Sequence, residues 1–285
     1  MFQPKKNLPF FLSFTNGLLQ VTGGGFIKEG FKLNSYGLAK LPLDILQDGE
    51  IVRQKLFGEM VVSLLARSQP KKIKTDSCYF NLPDKLVFSK FLTFPKVKKE
   101  EVKPTIFFKI KDFLPHKFEE MYIDWQPLVD GDGLIQVNVV AVRKKIIDSY
   151  IKTLRMINIF PVGFEPETCS LIRLAALVSS DPSLVIYFSE SKVVFCFGEK
   201  GVVILATTLN FSSGQGSNQS LVNELGKSAK FWQTTFAGKK QIKNVFLAGL
   251  PENELIFKQA VKKNFGTEVK KLPLPIILPS GFLQD

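Results

Sequence analysis

The chain has 285 residues, 45% hydrophobic and 22% charged, enough apolar material for a large core and unlike disordered, collagenous or disulfide-framework proteins. Lys and Arg number 38 against 26 Asp and Glu, a net charge of +12, which makes nucleic acid, an anionic membrane surface or an acidic partner the first electrostatic candidates. One histidine, His116, and three scattered cysteines, Cys78, Cys169 and Cys196, supply no ligand set for structural zinc, and a histidine-dependent triad would have to use His116 alone. The odd, widely spaced thiols fit a reducing cytoplasm, each as a small buried apolar residue. No apolar run approaches the roughly 18 to 20 residues that a bilayer requires. Lys5-Lys6 and the run over 8–14 imitate a signal peptide, but Pro9 interrupts it, Asn16-Gly17 closes it and no small-x-small site follows, so it reads as a strand.

In chain order, the apolar run over 9–14 stops at Asn16-Gly17, a dipeptide with strong turn chemistry, and restarts over 18–21. Gly23-Gly24-Gly25 reads as another turn before a third strand over 31–41, so the chain opens as an antiparallel meander. Ile51, Leu56, Met60, Val61, Leu64 and Leu65 fit the apolar stripe of a helix that Pro70 stops. A strand over 75–82 follows. Residues 86–94 alternate like an exposed strand, and Lys98-Lys99-Glu100-Glu101 starts a charged helix that tolerates Pro104 in its first turn and runs to Pro115. A strand over 122–128 and the loop Asp130-Gly131-Asp132-Gly133 complete a small α+β insertion between Leu82 and Gly133.

Residues 134–142 are the most strand-like run, leading into a helix over 145–156 with Ile146, Ile147, Tyr150, Ile151 and Leu154 on one face. An extended piece over 162–165 and a helix over 168–178 end at Ser179-Ser180-Asp181-Pro182, the clearest boundary in the chain. Beyond it the meander recurs over 184–188, 192–197 and 202–209. A helix over 221–236, a strand over 244–248, a helix over 252–265 and a final edge strand over 268–272 follow. Two halves, each a meander followed by alternating helices and strands, predict a duplicated α/β domain with a cleft between the copies, the layout of the actin-like ATPase fold.

Particular stretches sharpen this. They are Tyr36-Gly37-Leu38-Ala39-Lys40-Leu41-Pro42 with Asp48-Gly49-Glu50-Ile51; Phe80-Asn81-Leu82-Pro83; Leu92-Thr93-Phe94-Pro95-Lys96-Val97; and Lys111-Asp112-Phe113-Leu114-Pro115. Val140-Ala141-Val142-Arg143-Lys144 with Asp148-Ser149-Tyr150, Phe160-Pro161-Val162, Glu165-Pro166-Glu167 and Asn244-Val245-Phe246-Leu247-Ala248-Gly249 complete the set. In order and spacing the chain resembles the PilM family of type IV pilus assembly proteins, relatives of the cell-division protein FtsA. The resemblance implies an α/β, actin-like (ribonuclease H-like) pair of duplicated domains: domain 1 over 1–82 and 134–180, a 1C-type insertion over 83–133, and domain 2 over 181–285. In domain 2 the family's own insertion is reduced to the helix over 221–236.

Family members carry an Asp-Ile-Gly type sequence at both phosphate hairpins. Here the first reads Leu12-Ser13-Phe14-Thr15-Asn16-Gly17, with Ser13 at the Asp position and Thr15 near the Gly. The second reads Ile186-Tyr187-Phe188-Ser189-Glu190-Ser191, with Tyr187 for Asp and Ser189 for Gly. Phosphoryl transfer depends on placed metal and backbone donors, so loss of both carboxylates and both glycines predicts a degenerate pseudo-ATPase with no cofactor. ATP with Mg²⁺ is the alternative if the degenerate cleft still binds. Against the family pattern, Ser13, Thr15, Asn16, Glu165, Ser189, Glu190 and Gly249 are the candidate cofactor-binding residues. Each also has a structural explanation as a turn or helix-entry residue, and no catalytic or metal-ligating residue is expected.

The resemblance implies a cytoplasmic scaffold, peripheral at the inner membrane, that grips the N-terminal tail of a bitopic PilN-like protein as an extended peptide in a groove of domain 1. Dispersed lysines would add weak, salt-screened attraction to an anionic leaflet. A functional ATPase is one alternative. A nucleic-acid binder is the other, motivated by Lys71-Lys72-Lys74, Lys96-Lys98-Lys99, Lys239-Lys240-Lys243 and Lys262-Lys263-Lys270-Lys271. These clusters are dispersed and lack a recognition helix or RNA-binding motif, so solvated faces are favoured and no specific nucleic acid is expected.

Overall fold

The structure is a computed structural model that describes residues 8–15, 17–28, 30–128, 133–189, 192–210, 218–236, 240–249, 254–272 and 276–277. Strands β1 (Phe10–Thr15), β2 (Leu18–Ile27) and β3 (Gly30–Lys40) form the expected meander. Phe10, Leu12 and Phe14 are buried while Phe11 is exposed, the alternation of a strand with one covered face. Gly23-Gly24-Gly25 is not a turn: all three lie inside β2, with a register shift between Gly23 and Gly24. A Cβ on Gly24 would sit 2.5 Å from the Phe31 ring, so the glycine serves a close approach at a bulge rather than a reversal.

Helix α1 (Gln54–Arg67) packs Phe57, Val61, Leu64 and Leu65 into the core under the meander. Strand β4 (Ser77–Leu82) then lies parallel to β1. The chain next leaves for the insertion: β5 (Phe88–Pro95), α2 (Lys99–Ile110), β6 (Met121–Leu128) and β7 (Leu134–Arg143). These strands form a separate antiparallel sheet in the order β5-β7-β6, whose small core joins Leu92, Phe94, Val137 and Val139 to Ile106 and Ile110 of α2. The inserted sheet therefore extends to Arg143 rather than ending at Gly133, and the run over 134–142 belongs to it instead of the first domain's sheet. As the central strand of three, with Val137, Asn138 and Val139 consecutively buried, it reads as continuous apolar sequence whichever sheet it joins. Pro104 lies mid-helix, beyond the first turn; the carbonyl it deprives of a donor belongs to Glu100, an exposed residue that water can solvate.

The chain returns through α3 (Lys144–Met156), β8 (Phe160–Pro166) and α4 (Glu167–Ala176). The first sheet runs β8-β4-β1-β2-β3, with Gln69–Pro70 pairing alongside β3. In the second half, β9 (Ser183–Phe188), β10 (Lys192–Glu199) and β11 (Val202–Asn210) repeat the meander. Helix α5 (Asn218–Thr235), β12 (Asn244–Ala248), α6 (Glu254–Phe265) and β13 (Val269–Lys271) follow. The order β11-β10-β9-β12-β13 matches the first sheet position for position: a meander, then two strands parallel to its first strand. A short strand β14 (Ile276–Ile277) then crosses back to pair with β3, an exchange the sequence did not suggest. Between β11 and β12 the described residues hold a single helix, α5, and no inserted sheet.

Helix α4 covers one face of the second sheet with Leu171, Ile172 and Ala175. Helices α5 and α6 cover the other with Leu225, Trp232, Phe257 and Val261. Phe91 and Leu128 of the insertion join that second cluster, so the inserted sheet bridges the two halves. No helix among the described residues is long and apolar enough to cross a membrane.

Candidate nucleotide cleft and adjoining groove

The structure groups four of the five described candidate residues into two pairs. Ser13 and Glu165 share one row of the first sheet through the register Ser13↔Asn81↔Glu165. Ser189 and Gly249 follow the carboxyl ends of the adjacent parallel strands β9 and β12, the end at which open α/β sheets bind ligands. Thr15 ends β1, while Asn16 and Glu190 lie outside the described residues. The Ser13 hydroxyl makes a long bond, 3.4 Å, to Gln20. Glu165 is occupied: its Oε2 accepts from the Ser170 hydroxyl at 2.8 Å and pairs with Arg173. Ser189 closes its own hairpin, donating N–H to the Lys192 carbonyl at 2.9 Å.

Tyr187, at the second Asp position, packs against the α4 cluster, and burial with the nearby Glu167 charge raises its phenol's pKa. An aromatic ring thus stands where the resemblance to the PilM family implies an acid. Among the described residues no group of three His, Cys, Asp or Glu side chains is placed to hold a metal ion.

Gly249 has a structural task of its own. Its φ is +81°, and a Cβ there would sit 2.1 Å from the Phe188 carbonyl oxygen, a backbone neighbour that cannot step aside. Gly249→Ala is expected to lower stability by about 2 kcal/mol or more without any nucleotide. Urea denaturation reads this directly, and an unshifted midpoint would remove the structural role.

A cleft of about 730 Å³ opens between the first half, the insertion and the second half, lined by Phe14, Gly17, Asp84, Thr168, Lys192 and Thr208 among others. Sequence reasoning missed its polar centre. Asp84, just beyond β4, accepts from the Thr168 N–H at 3.2 Å and hydroxyl at 2.9 Å, capping the first turn of α4 from a distant segment. Its other oxygen, Oδ2, is buried without a partner. Next to it, Glu167 of α4 pairs with Lys192 of β10, both side chains nearly buried, so the lysine at the second hairpin is already neutralised.

Burial raises the Asp84 carboxyl against the lowering effect of the Thr168 bonds. The folded chain therefore holds this proton more tightly than the unfolded chain, and stability falls as pH rises from the unfolded carboxylate range near about 4 through the folded pKa. Asp84→Asn keeps an acceptor for Thr168 and removes the charge. Its melting temperature is expected to exceed the parent's at about pH 7, the gap closing toward about pH 4; a variant that melts lower at neutral pH would show that Lys192 compensates the carboxylate.

A second cavity of about 700 Å³ lies between the insertion and the first half. Phe14, Phe88, Met121, Ala141 and Ile146 give it apolar walls, with Asp48, His116 and Arg143 among its polar residues. It shares Phe14, Leu46, Lys85, Val87 and Phe88 with the first cavity, so the two form adjoining parts of one depression. The cysteines take no part in either: burial pushes the Cys78 and Cys169 thiols up to about 12 and that of Cys196 well above its ordinary value.

The doubled sheet order and the insertion after the fourth strand define an α/β protein of the actin-like ATPase fold. Among solved structures the chain is similar to one from the PilM–PilN type IV pilus biogenesis complex, at 13% identity and a TM-score of 0.75, over 95% of this chain and 90% of that one. It is also similar to the cytoplasmic domain of EpsL, an inner-membrane component of the Vibrio cholerae type II secretion system (9% identity, TM-score 0.52, covering 85% of this chain and 83% of that one). A third similar structure is a Bacteroides thetaiotaomicron protein of actin-like ATPase fold and unknown function (10% identity, TM-score 0.50, covering 97% and 94%). No protein-family description and no curated protein sequence matches the chain.

Proposed function

We propose that the chain is a PilM-like scaffold of a type IV pilus assembly complex, acting in the cytoplasm at the inner membrane, with an actin-like fold that no longer turns over ATP. The observation that carries this reading is the likeness to the PilM–PilN complex over nearly the whole of both chains. The side chains at the two hairpins support the pseudo-ATPase part, since Ser13 and Tyr187 replace acids and Glu165 and Lys192 are each tied up in ion pairs. Neither ATP nor Mg²⁺ has a role in this account.

The partner is a PilN-like bitopic protein, held by its N-terminal cytoplasmic tail. The groove between the insertion and the first half suits an extended peptide: it is open and apolar-walled, and β5 and β6 each leave one edge unpaired by a strand among the described residues. Backbone pairing and side-chain pockets are enough for such binding, which is why it outlives a nucleotide site. The test is retention of the chain on an immobilised N-terminal peptide of the PilN-like protein encoded by the same genome. Retention is expected, weakened about tenfold by Phe88→Ser, which strips an apolar wall. Equal retention of the variant would move the site elsewhere, and no retention would remove the reading.

A further inference from the structure

The two sheets are covered unequally. The second has helices on both faces, α4 on one and α5 with α6 on the other, whereas α1 and α3, which fill the core under the first, lie on one face only. On the opposite face the register aligns one row across the five strands, Gly163↔Tyr79↔Phe11↔Thr22↔Tyr36. Phe11 is 41% and Tyr79 44% exposed. Their rings stack at 5.9 Å, and Phe31 meets Phe11 edge-on at 6.0 Å, so the aromatics form one surface. The next row, Glu165↔Asn81↔Ser13↔Gln20↔Leu38, is met by α4 at one end, where Ser170 bonds both Asn81 and Glu165. The aromatic row carries no charged residue, although a sheet face turned to water is normally polar.

The chain itself delivers a segment to this face. Strand β14 runs parallel to β3, with Ile276 opposite Phe31 and Ile277 opposite Lys32, so its continuation heads along β3 toward Ser35. That edge is taken, because Gln69–Pro70 already pairs with Ser35 and Tyr36. The inner side is closed as well: Ser35 is buried, and a Cβ on Gly23 opposite it would lie 3.2 Å from the side chain of Ile73, which packs on the core under the sheet. The outer face is what remains. Residues 278–285 read Leu-Pro-Ser-Gly-Phe-Leu-Gln-Asp. Pro279 cannot donate to a ladder, Ser280-Gly281 is a turn dipeptide, and Phe282-Leu283 supplies apolar side chains. Leu278 to Gln284 carry no charge, like the aromatic row. The chain from Ile277 to Phe282 spans at most about 17 Å, and strands two apart are separated by about 10 Å, so Phe282 can reach Phe11.

We propose that residues 278–285 fold over the outer face of the first sheet, with Phe282 seated against Phe11 and Tyr79. The segment follows β13 of the second half and β14 on the first sheet, so this contact fastens the two halves together beside the inserted sheet, a tie that needs no nucleotide. A second copy of the chain could bury the same rings, but a segment tethered within reach competes at a far higher effective concentration. The inference stands without the proposed peptide partner, whose groove shares no residue with the aromatic row.

The test replaces Phe282 by the photo-cross-linker p-benzoylphenylalanine in the full chain, with no other protein present, and maps the cross-links by mass spectrometry of the digest. Cross-links are expected within one chain, to the peptide bearing Phe11 or to that bearing Tyr79. Cross-links between two chains would give the face to a second copy and overturn the proposal, as would cross-links to other parts of the chain or none at all. A double-mutant cycle reads the same contact without the probe. Phe282→Ser and Phe11→Ser are each expected to lower the urea midpoint, and the two together to lower it by clearly less than the sum of the single shifts. Shifts that simply add, or an unmoved midpoint in Phe282→Ser, would also overturn it.

Discussion

Replacing Tyr150 by alanine is expected to cost about 3–5 kcal/mol of folding stability, the range for deleting a fully buried aromatic side chain. Tyr150 has no exposed surface. Its ring lies 4.7 Å from that of Phe80 and 6.0 Å from that of Phe14, and its hydroxyl donates to the Gly49 carbonyl at 2.9 Å. Burial holds the phenol neutral by raising its pKa, so the bond is kept across the accessible pH range. Tyr150→Phe should cost only about 1–2 kcal/mol, the loss of one bond with a carbonyl left facing the gap.

More than packing is at stake. Ile51 N–H donates to Ser149 Oγ at 3.1 Å, Arg143 donates to the Asp48 carbonyl, and Lys145 pairs with Glu50 at 2.6 Å. The segment from Asp48 to Ile51 is thus clasped by the start of α3, and Asp48, Gly49, Arg143 and Ile146 of this clasp line the groove. Tyr150→Ala should therefore weaken peptide retention as well as shift the urea midpoint. A midpoint within about 1 kcal/mol of the parent's would contradict the packing account.

The second large effect is expected at Lys240. Its ammonium donates to Glu199 Oε2 at 2.7 Å and to Gln136 Oε1 at 3.2 Å, with side chains of Lys240 and Glu199 only 12% and 10% exposed. Lys240→Ala strands a carboxylate in the interface between the insertion and the second half, at a cost of about 3–5 kcal/mol. If that cost is the unpaired charge, replacing both members together, Lys240→Met with Glu199→Leu, should recover most of it. Denaturation of the single and double variants decides: a double variant as unstable as the single one would show that shape, not charge, is what the pair supplies. Because Gln136 belongs to β7, the single variant should also raise amide exchange in the inserted sheet.

The repeated meander was legible because period-two alternation and turn residues are local signals, as at Phe10, Leu12 and Phe14 before Asn16-Gly17. The sequence also marked Asp48-Gly49-Glu50-Ile51 and Asp148-Ser149-Tyr150 as separate stretches; that one clasps the other is a tertiary fact with no local trace. Residues 134–142 read as a strand, but which sheet they join is not written in them, since a strand covered on both faces reports burial and not its neighbours. Asp84, Thr168 and Lys192 carry no local signal for a similar reason. They come from a strand exit, a helix start and a hairpin, and only Glu167 of that cluster lies in a stretch that resembles the PilM family. The nearest available signal was an acid directly after Leu82-Pro83, at the end of a buried strand.

The proposed scaffold binds its partner's tail without help from nucleotide. It is tested most directly by calorimetric titration of the full chain with the N-terminal peptide of its PilN-like partner, with and without saturating MgATP, alongside MgATP alone. Saturable peptide binding of the same affinity in both conditions and no heat from MgATP are expected. Peptide binding that appears only with MgATP, or tight Mg²⁺-dependent ATP binding with no affinity for the peptide, would contradict it.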